Sequence, residues 1–322
     1  MLPLRPRPVQ LPAYAIGVMM QSSLLEAMKT RVLLADGAMG TQLQGAGLEP
    51  GHCGEAWNLD HPDRVLGIQR RYAEAGSDLL LTNTFGASRI MLNRHGEGER
   101  TVDINRASVA IAREALSGRG YVLGDIGPFG GLMEPYGDVT RAEVERAFLE
   151  QARALVDGGV DGIIIETQTA FEELAVAIRA AREAGAKVVV ASIAFDRMAD
   201  EDDVRTMMGI SPEQAAEFMV AQGCDIAGLN CGTGVDMVMA ANIVRRYRAT
   251  CDLPVMAQPN AGAPALEDMR VVYKQTPEEM GAGLAELLAA GPRIVGGCCG
   301  STPAHIRRFR ELMDRCTPEM RA

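Results

Sequence analysis

Three cysteines carry the chemistry this sequence could most readily do. Cys298 and Cys299 are adjacent within Gly296-Gly297-Cys298-Cys299-Gly300, and Cys231 follows Asn230 in Asn230-Cys231-Gly232-Thr233-Gly234. Neighbouring cysteines rarely bond to each other, because the eight-membered ring strains the peptide between them. As ligands, both can reach one metal if the backbone kinks, and the flanking Gly297 and Gly300 permit the kink. Three soft sulfurs favour zinc. None of His52, His61, His95 or His305 has a ligand-like spacing, so the set is three ligands with one open position, the catalytic arrangement. Zinc with three thiolates carries one net negative charge. A thiol taking the open position loses its proton and stays electron-rich, hence nucleophilic at neutral pH. A harder ligand set would suit the activation of water. The sulfurs therefore point to a thiol attacking an alkyl group. The plainer reading of the same residues is small buried side chains on strands.

Two carboxylates are the candidates for gripping a substrate amine. Asp36 and Glu166 each end an apolar run, and a carboxylate facing a cavity there needs a cation or a proton. The loop Gly37-Ala38-Met39-Gly40-Thr41 can turn backbone N–H groups of Gly37 and Ala38 toward a substrate carboxylate. Together they would recognise an α-amino acid. Asn83, Asp125, Asn230 and Asn260 also end apolar runs, and either contact substrate or tie loops together. Cys53, Cys224, Cys251 and Cys316 fall on loops or helices and are expected to hold no metal.

These residues are scattered along almost the whole chain, so a fold must gather them. Short apolar runs at 32–36, 79–83, 121–125, 162–167, 187–195, 225–230, 254–259 and 293–297 read as buried parallel strands. Between them, helical spacing predicts helices at 62–76, 100–117, 140–158, 170–185, 211–222, 235–249, 277–290 and 302–315. Thr140, Ser211, Thr276 and Thr302 place a capping hydroxyl at helix starts, three of them ahead of proline. Gly76, Gly185, Gly223 and Gly291 close four helices. Eight strands alternating with eight helices give an α/β fold of the (β/α)8 TIM barrel type, a single domain with the zinc site at its C-terminal mouth. The longest loops, 37–60, 196–210 and 260–275, fall on that face. Residues 1–24 are expected to be a disordered extension and 25–318 the barrel.

The 322 residues are 47% hydrophobic and 23% charged, which supports a large core and excludes global disorder. A net charge of −10 argues against a nucleic-acid face and against an anionic membrane surface. No run is long and apolar enough to span a bilayer. Seven cysteines, an odd number in a long chain, suit a reducing compartment such as the cytoplasm.

The ordered segments LLADGAMGTQL (33–43), TNTFGAS (82–88), GDIGPFG (124–130), Glu166-Thr167, NCGTG (230–234), QPNAG (258–262) and GGCCGSTPAHI (296–306) resemble the homocysteine S-methyltransferase family. Within it they look most like the homocysteine-binding domain of cobalamin-dependent methionine synthase. The resemblance implies a barrel with zinc held by Cys231, Cys298 and Cys299. It implies homocysteine bound as a zinc thiolate, with Asp36 and Glu166 near its amino group, and methionine as product. The methyl donor is then expected to be a methylcorrinoid or methylfolate system on a separate protein. The alternatives are a small donor such as S-methylmethionine or betaine, which would need an aromatic-lined mouth, and a non-catalytic zinc- or thiol-binding subunit docked to a corrinoid protein. For such a mouth the sequence offers Phe85, Phe129, Tyr136 and Trp57.

Overall fold

The computed structural model describes residues 22–199, 203–267 and 270–315. Eight parallel barrel strands are present: β1 Leu33–Leu34, β2 Leu79–Leu81, β3 Tyr121–Ile126, β4 Gly162–Gln168, β5 Val189–Ile193, β6 Ile226–Asn230, β7 Val255–Gln258 and β8 Ile294–Val295. Each bonds to its neighbour in sequence from β2 to β8, and β8 bonds to β1. Only the β1–β2 seam lacks a strand ladder. Two aspartate side chains and one main-chain bond bridge it instead. Leu34 N–H donates to Asp78 Oδ2 at 2.8 Å, Asp78 N–H to the Leu34 carbonyl at 2.6 Å, and Leu81 N–H to Asp36 Oδ2 at 2.9 Å. Every strand predicted from the sequence is found, each shorter than its apolar run or close to it.

The outer ring is α1 Pro62–Glu74, α2 Thr101–Leu116, α3 Arg141–Gly158, α4 Phe171–Glu183, α5 Pro212–Ala221, α6 Met237–Thr250, α7 Pro277–Ala282, α8 Leu284–Ala289 and α9 Pro303–Arg315. Thr140, Ser211 and Thr276 each form a reciprocal capping box, with Glu143, Gln214 and Glu279. Gly76, Gly185, Gly223 and Gly291 adopt positive φ, as their capping role demands. One predicted helix is two. The 277–290 segment breaks at Gly283, where a Cβ would come within 2.5 Å of the Met237 Cβ. The close approach of α6 requires glycine there, and the helix is interrupted at that contact.

The long mouth loops also carry structure that their polar composition hides. Short helices occupy Gly40–Gly45 and Trp57–Asp60, and antiparallel hairpins pair Asp196–Arg197 with Val204–Arg205 and Pro264–Glu267 with Arg270–Tyr273. At the opposite end, a helix at Leu24–Thr30, capped by Ser23, plugs the barrel. Its Leu24, Ala27 and Met28 join Leu33, Leu123, Ile164, Val190, Ile226 and Met256 in one interior cluster. The fold therefore takes in residues 22–24, and the Tyr121 hydroxyl donates to the Ser22 carbonyl at 2.9 Å. Residues 1–21, and with Cys316 the segment 316–322, lie outside the described residues.

Candidate metal and substrate site

Strand periodicity builds the floor of the site. Alternate side chains face the barrel interior, where the lower layers are apolar: Tyr121 and Leu123 on β3, Ile164 on β4, Val188 and Val190 at β5, Ile226 on β6, Met256 on β7. Two residues further along β3, β4, β5 and β7, and four further along β6, the same face presents Asp125, Glu166, Ser192, Gln258 and Asn230. The barrel thus ends in a polar layer at its C-terminal mouth. Above it opens a cavity of about 510 Å³, lined by Asp36, Asp125, Glu166, Cys231, Cys298 and Cys299 among others. Larger clefts, of about 810 and 840 Å³, lie between outer helices and at the opposite end, and neither contains a thiol.

The three thiols meet. Sγ of Cys231 lies 3.9 Å from that of Cys299, and the Cys298 and Cys299 sulfurs are 4.0 Å apart. All three fall within 4.8 Å of one another, the only such group among the described residues. A tetrahedral ion with zinc–sulfur bonds of about 2.3 Å needs sulfurs about 3.8 Å apart, so the spacing fits zinc. The backbone is bent to achieve it. Cys231 sits at φ 59°, a left-handed conformation that costs a side-chain-bearing residue energy. Gly300, at φ 79°, lies so close under Tyr273 that a Cβ would collide with the ring. Cys298 N–H donates to the Pro259 carbonyl at 2.9 Å, Ala261 N–H to that of Cys299 at 2.9 Å, and the Ser301 hydroxyl to that of Cys298 at 2.7 Å. Hydrogen bonds from Cys298 and Cys299 hold the Cys231 thiol far below the ordinary thiol range, while Cys298 is raised by the same contacts. Cys53, Cys224 and Cys251 lie outside the cluster.

Four carboxylates, those of Asp36, Glu55, Asp125 and Glu166, share the cavity, and no Lys or Arg among the described residues lines it. Asp36 is 2% exposed. Its Oδ2 closes the barrel seam, while Oδ1 is buried without a partner. Burial pushes its carboxyl well above the usual range, opposed by the Leu81 N–H bond. Burial, then the charge at Cys231, pushes Glu166 up to about 8.

Other candidates make hydrogen bonds within the protein, although Asn260 Oδ1 is buried without a partner. Asn230 accepts from Thr167 N–H at 2.9 Å and the Ser192 hydroxyl at 2.7 Å, and donates to Thr167 Oγ1 at 2.7 Å. It fixes Thr167, which also has positive φ at 58°, and its Nδ2 lies 3.9 Å from Cys298 Sγ. Asn83 ties Gly54 and Asn58 together. Asn260 donates to the Gly232 carbonyl at 3.0 Å and lies 3.8 Å from Cys231 Sγ. Ala38 N–H, expected to face a substrate carboxylate, donates to Ser301 Oγ at 3.1 Å, and the Tyr72 hydroxyl holds the Ala38 carbonyl at 2.8 Å. Gly37 has no room for a Cβ against Ser301 and Tyr72. Of the four aromatics considered for the mouth, Phe85 lines the cavity, whereas Phe129 and Trp57 are core residues and Tyr136 points into solvent.

Sequence reasoning missed Tyr273, which reaches Cys299 from the second hairpin and lines the cavity. It also missed Ser301, Tyr72 and Thr167. Ser301 and Thr167 carried a signal, as parts of the motif that follows the cysteine pair and of the Glu166-Thr167 pair; Tyr72 carried none.

A family model described as homocysteine S-methyltransferase matches residues 33–313. Methionine synthase of Mycobacterium tuberculosis is 35% identical over 301 residues, covering 89% of this chain and 25% of its own length. Methionine synthase of Mycobacterium leprae is 34% identical over 314 residues, covering 92% and 25%. The chain thus spans about a quarter of the length of these curated relatives. The metallated form of the homocysteine methyltransferase MmuM from Escherichia coli superposes with a TM-score of 0.71 at 21% identity, over 90% of this chain and 98% of that one. That likeness concerns the fold, a nearly closed eight-stranded parallel barrel. Among the described residues no helix is long and apolar enough to cross a membrane.

Proposed function

The chain belongs to the homocysteine S-methyltransferase family, and from that premise we propose that it transfers a methyl group to the sulfur of homocysteine, giving methionine, with zinc held by Cys231, Cys298 and Cys299. The observation that carries this reading is the meeting of three thiols, drawn from two distant strand ends, at tetrahedral spacing in the cavity. When bound there, zinc would lower the pKa of an entering thiol so that the sulfur is nucleophilic at neutral pH.

The protein's own residues do the rest. Asp36, through Oδ1, and Glu166 bind the substrate ammonium, a role that suits buried carboxylates without a basic partner. Gly37 lets the strand end pack directly against Ser301 and Tyr72. Asn230 holds the cavity wall rigid beside Cys298 by locking Thr167. The apolar rim of Phe85 and Val271 limits water around the reacting sulfur. In the transfer, the sulfur–methyl bond forms as the donor–methyl bond breaks, and the donor leaves with the electron pair of that bond.

The donor is read as a methylcorrinoid or methylfolate system carried outside this barrel, and 25–318, with the helix at Leu24–Thr30 included, as the homocysteine-binding unit. A sulfonium or ammonium donor is less well served, because the candidate aromatics do not assemble around the cavity. Reduced thiols in this number suit the cytoplasm.

The test is zinc content together with methyl transfer from each donor class, supplied one at a time. The account expects about one zinc per chain and transfer to homocysteine. Cys298→Ala should lose both. Full turnover by a zinc-free Cys298→Ala protein would refute the mechanism.

A further inference from the structure

We propose that Asp125 is a third recognition group for the substrate amine, so that Asp36, Glu166 and Asp125 each take one N–H of a primary ammonium. The inference rests on the homocysteine reading above. Asp125 ends the inward face of β3, is 4% exposed, and its Oδ1 is buried with no partner. It lines the same cavity as Asp36, Glu166 and the three cysteines. A buried carboxylate without a cation or a donor is costly to keep and is normally paired.

Its surroundings are built to aim it, not to satisfy it. Asp125 N–H donates to Thr82 Oγ1 at 2.9 Å. Its carbonyl accepts from Thr84 Oγ1 at 2.7 Å and from Gln151 Nε2 at 3.4 Å. The Thr82 and Thr84 hydroxyls lie 2.6 Å apart. Three polar side chains thus clamp the main chain of Asp125, and none of them bonds its carboxylate. Burial, then the charges of Glu166, Asp36 and Glu55, hold the Asp125 carboxyl well above its usual range, a tension that an arriving cation relieves.

The stoichiometry of donors and acceptors follows. A primary ammonium has three N–H donors and no acceptor, while a carboxylate offers only acceptors. With two carboxylates the third N–H would fall to a neutral acceptor, Gln258 Oε1, because the cavity's remaining carboxylate, Glu55, already accepts from Gly86 N–H at 2.8 Å; a third carboxylate gives the stronger, charge-assisted bond. Three carboxylates satisfy all three and leave no room for an N-substituent. The site should therefore select primary amines against N-alkylated ones.

Calorimetric titration of the zinc-loaded full chain tests this with two ligands, L-homocysteine and N-methyl-L-homocysteine. Wild type should bind the N-methyl compound at least about tenfold more weakly, the loss expected for one charge-assisted hydrogen bond. Asp125→Ala should weaken homocysteine by about tenfold, and its vacated space should bring the N-methyl compound to within about threefold of homocysteine. The inference is overturned if wild type binds both ligands within about threefold of each other, or if Asp125→Ala keeps the full discrimination. The wild-type comparison does not depend on the variant folding. Failure of zinc-loaded wild type to bind homocysteine at all would refute the functional reading itself. Homocysteine binding without discrimination would remove only the role of Asp125.

Discussion

Asp125 and Asn230 occupy equivalent places, at the inward ends of β3 and β6, yet the protein uses them in opposite ways. The side chain of Asn230 is bonded to Thr167 and Ser192, whereas Asp125 leaves Oδ1 buried without a partner. The sequence marks both as polar residues ending apolar runs and cannot separate them, because the partners that decide the matter come from other strands. For Asn230 these are Thr167 and Ser192, far away in the chain. Cys231, Cys298 and Cys299 were legible because residue type and flanking glycines declared the chemistry before any geometry. Tyr273 was not, since a tyrosine after a polar loop carries no mark of the cysteine it will meet. Removing the Asn230 side chain should leave the Thr167 N–H unpaired beside the cavity. Asn230→Ala is expected to lose about 2–3 kcal/mol of stability, measured by urea unfolding, and to bind zinc more weakly because Thr167 and the Cys298 wall are no longer fixed. Unchanged stability and unchanged zinc affinity would show that the strut is dispensable.

Among the elements, the strands and outer helices follow from periodicity and capping, and their boundaries are nearly those expected. What the periodicity did not reveal is how β1 and β2 close the barrel. Both are short, and their seam depends on Asp78 and Asp36 standing in for a ladder. Asp78 also pairs with Arg310 on α9 at 2.6 Å and with Arg31 at 2.8 Å. Asp78→Ala would leave the Leu34 N–H and two guanidinium groups without their shared acceptor. The expected cost is about 3 kcal/mol, with hydrogen exchange accelerated first in β1 and β2. Uniform exchange across all eight strands would contradict this view of the seam. The two mouth hairpins escaped notice for a different reason. Their strands are short and half exposed, so they lack the apolar alternation by which buried strands are read. The break at Gly283 depends on a neighbour, Met237, that local sequence does not contain.

At the scale of the whole molecule, an apolar barrel closed below by one helix supports a polar, acidic mouth. Burying acid groups makes the fold sensitive to pH. Glu173, at the start of α4, accepts the Phe129 N–H at 2.7 Å and so anchors a mouth loop to the helical ring. Burial pushes its carboxyl up to about 7, partly offset by that bond. Between the ordinary glutamate value of about 4.3 and that raised value, the folded chain keeps a proton that the unfolded chain releases. The stability from this site is present at the acid end of the window and is lost as pH rises through it. Glu173→Gln keeps an acceptor for Phe129 without the charge. Its urea midpoint should therefore gain on wild type between about pH 5 and about pH 8, and a constant difference across that range would show that Glu173 does not titrate as described.

X-ray absorption at the zinc edge, with and without homocysteine, shows whether three protein sulfurs and one substrate sulfur meet around a single ion. Three sulfurs at about 2.3 Å are expected in the protein alone and four once homocysteine is added. A shell dominated by nitrogen or oxygen, or one that homocysteine leaves unchanged, would contradict it.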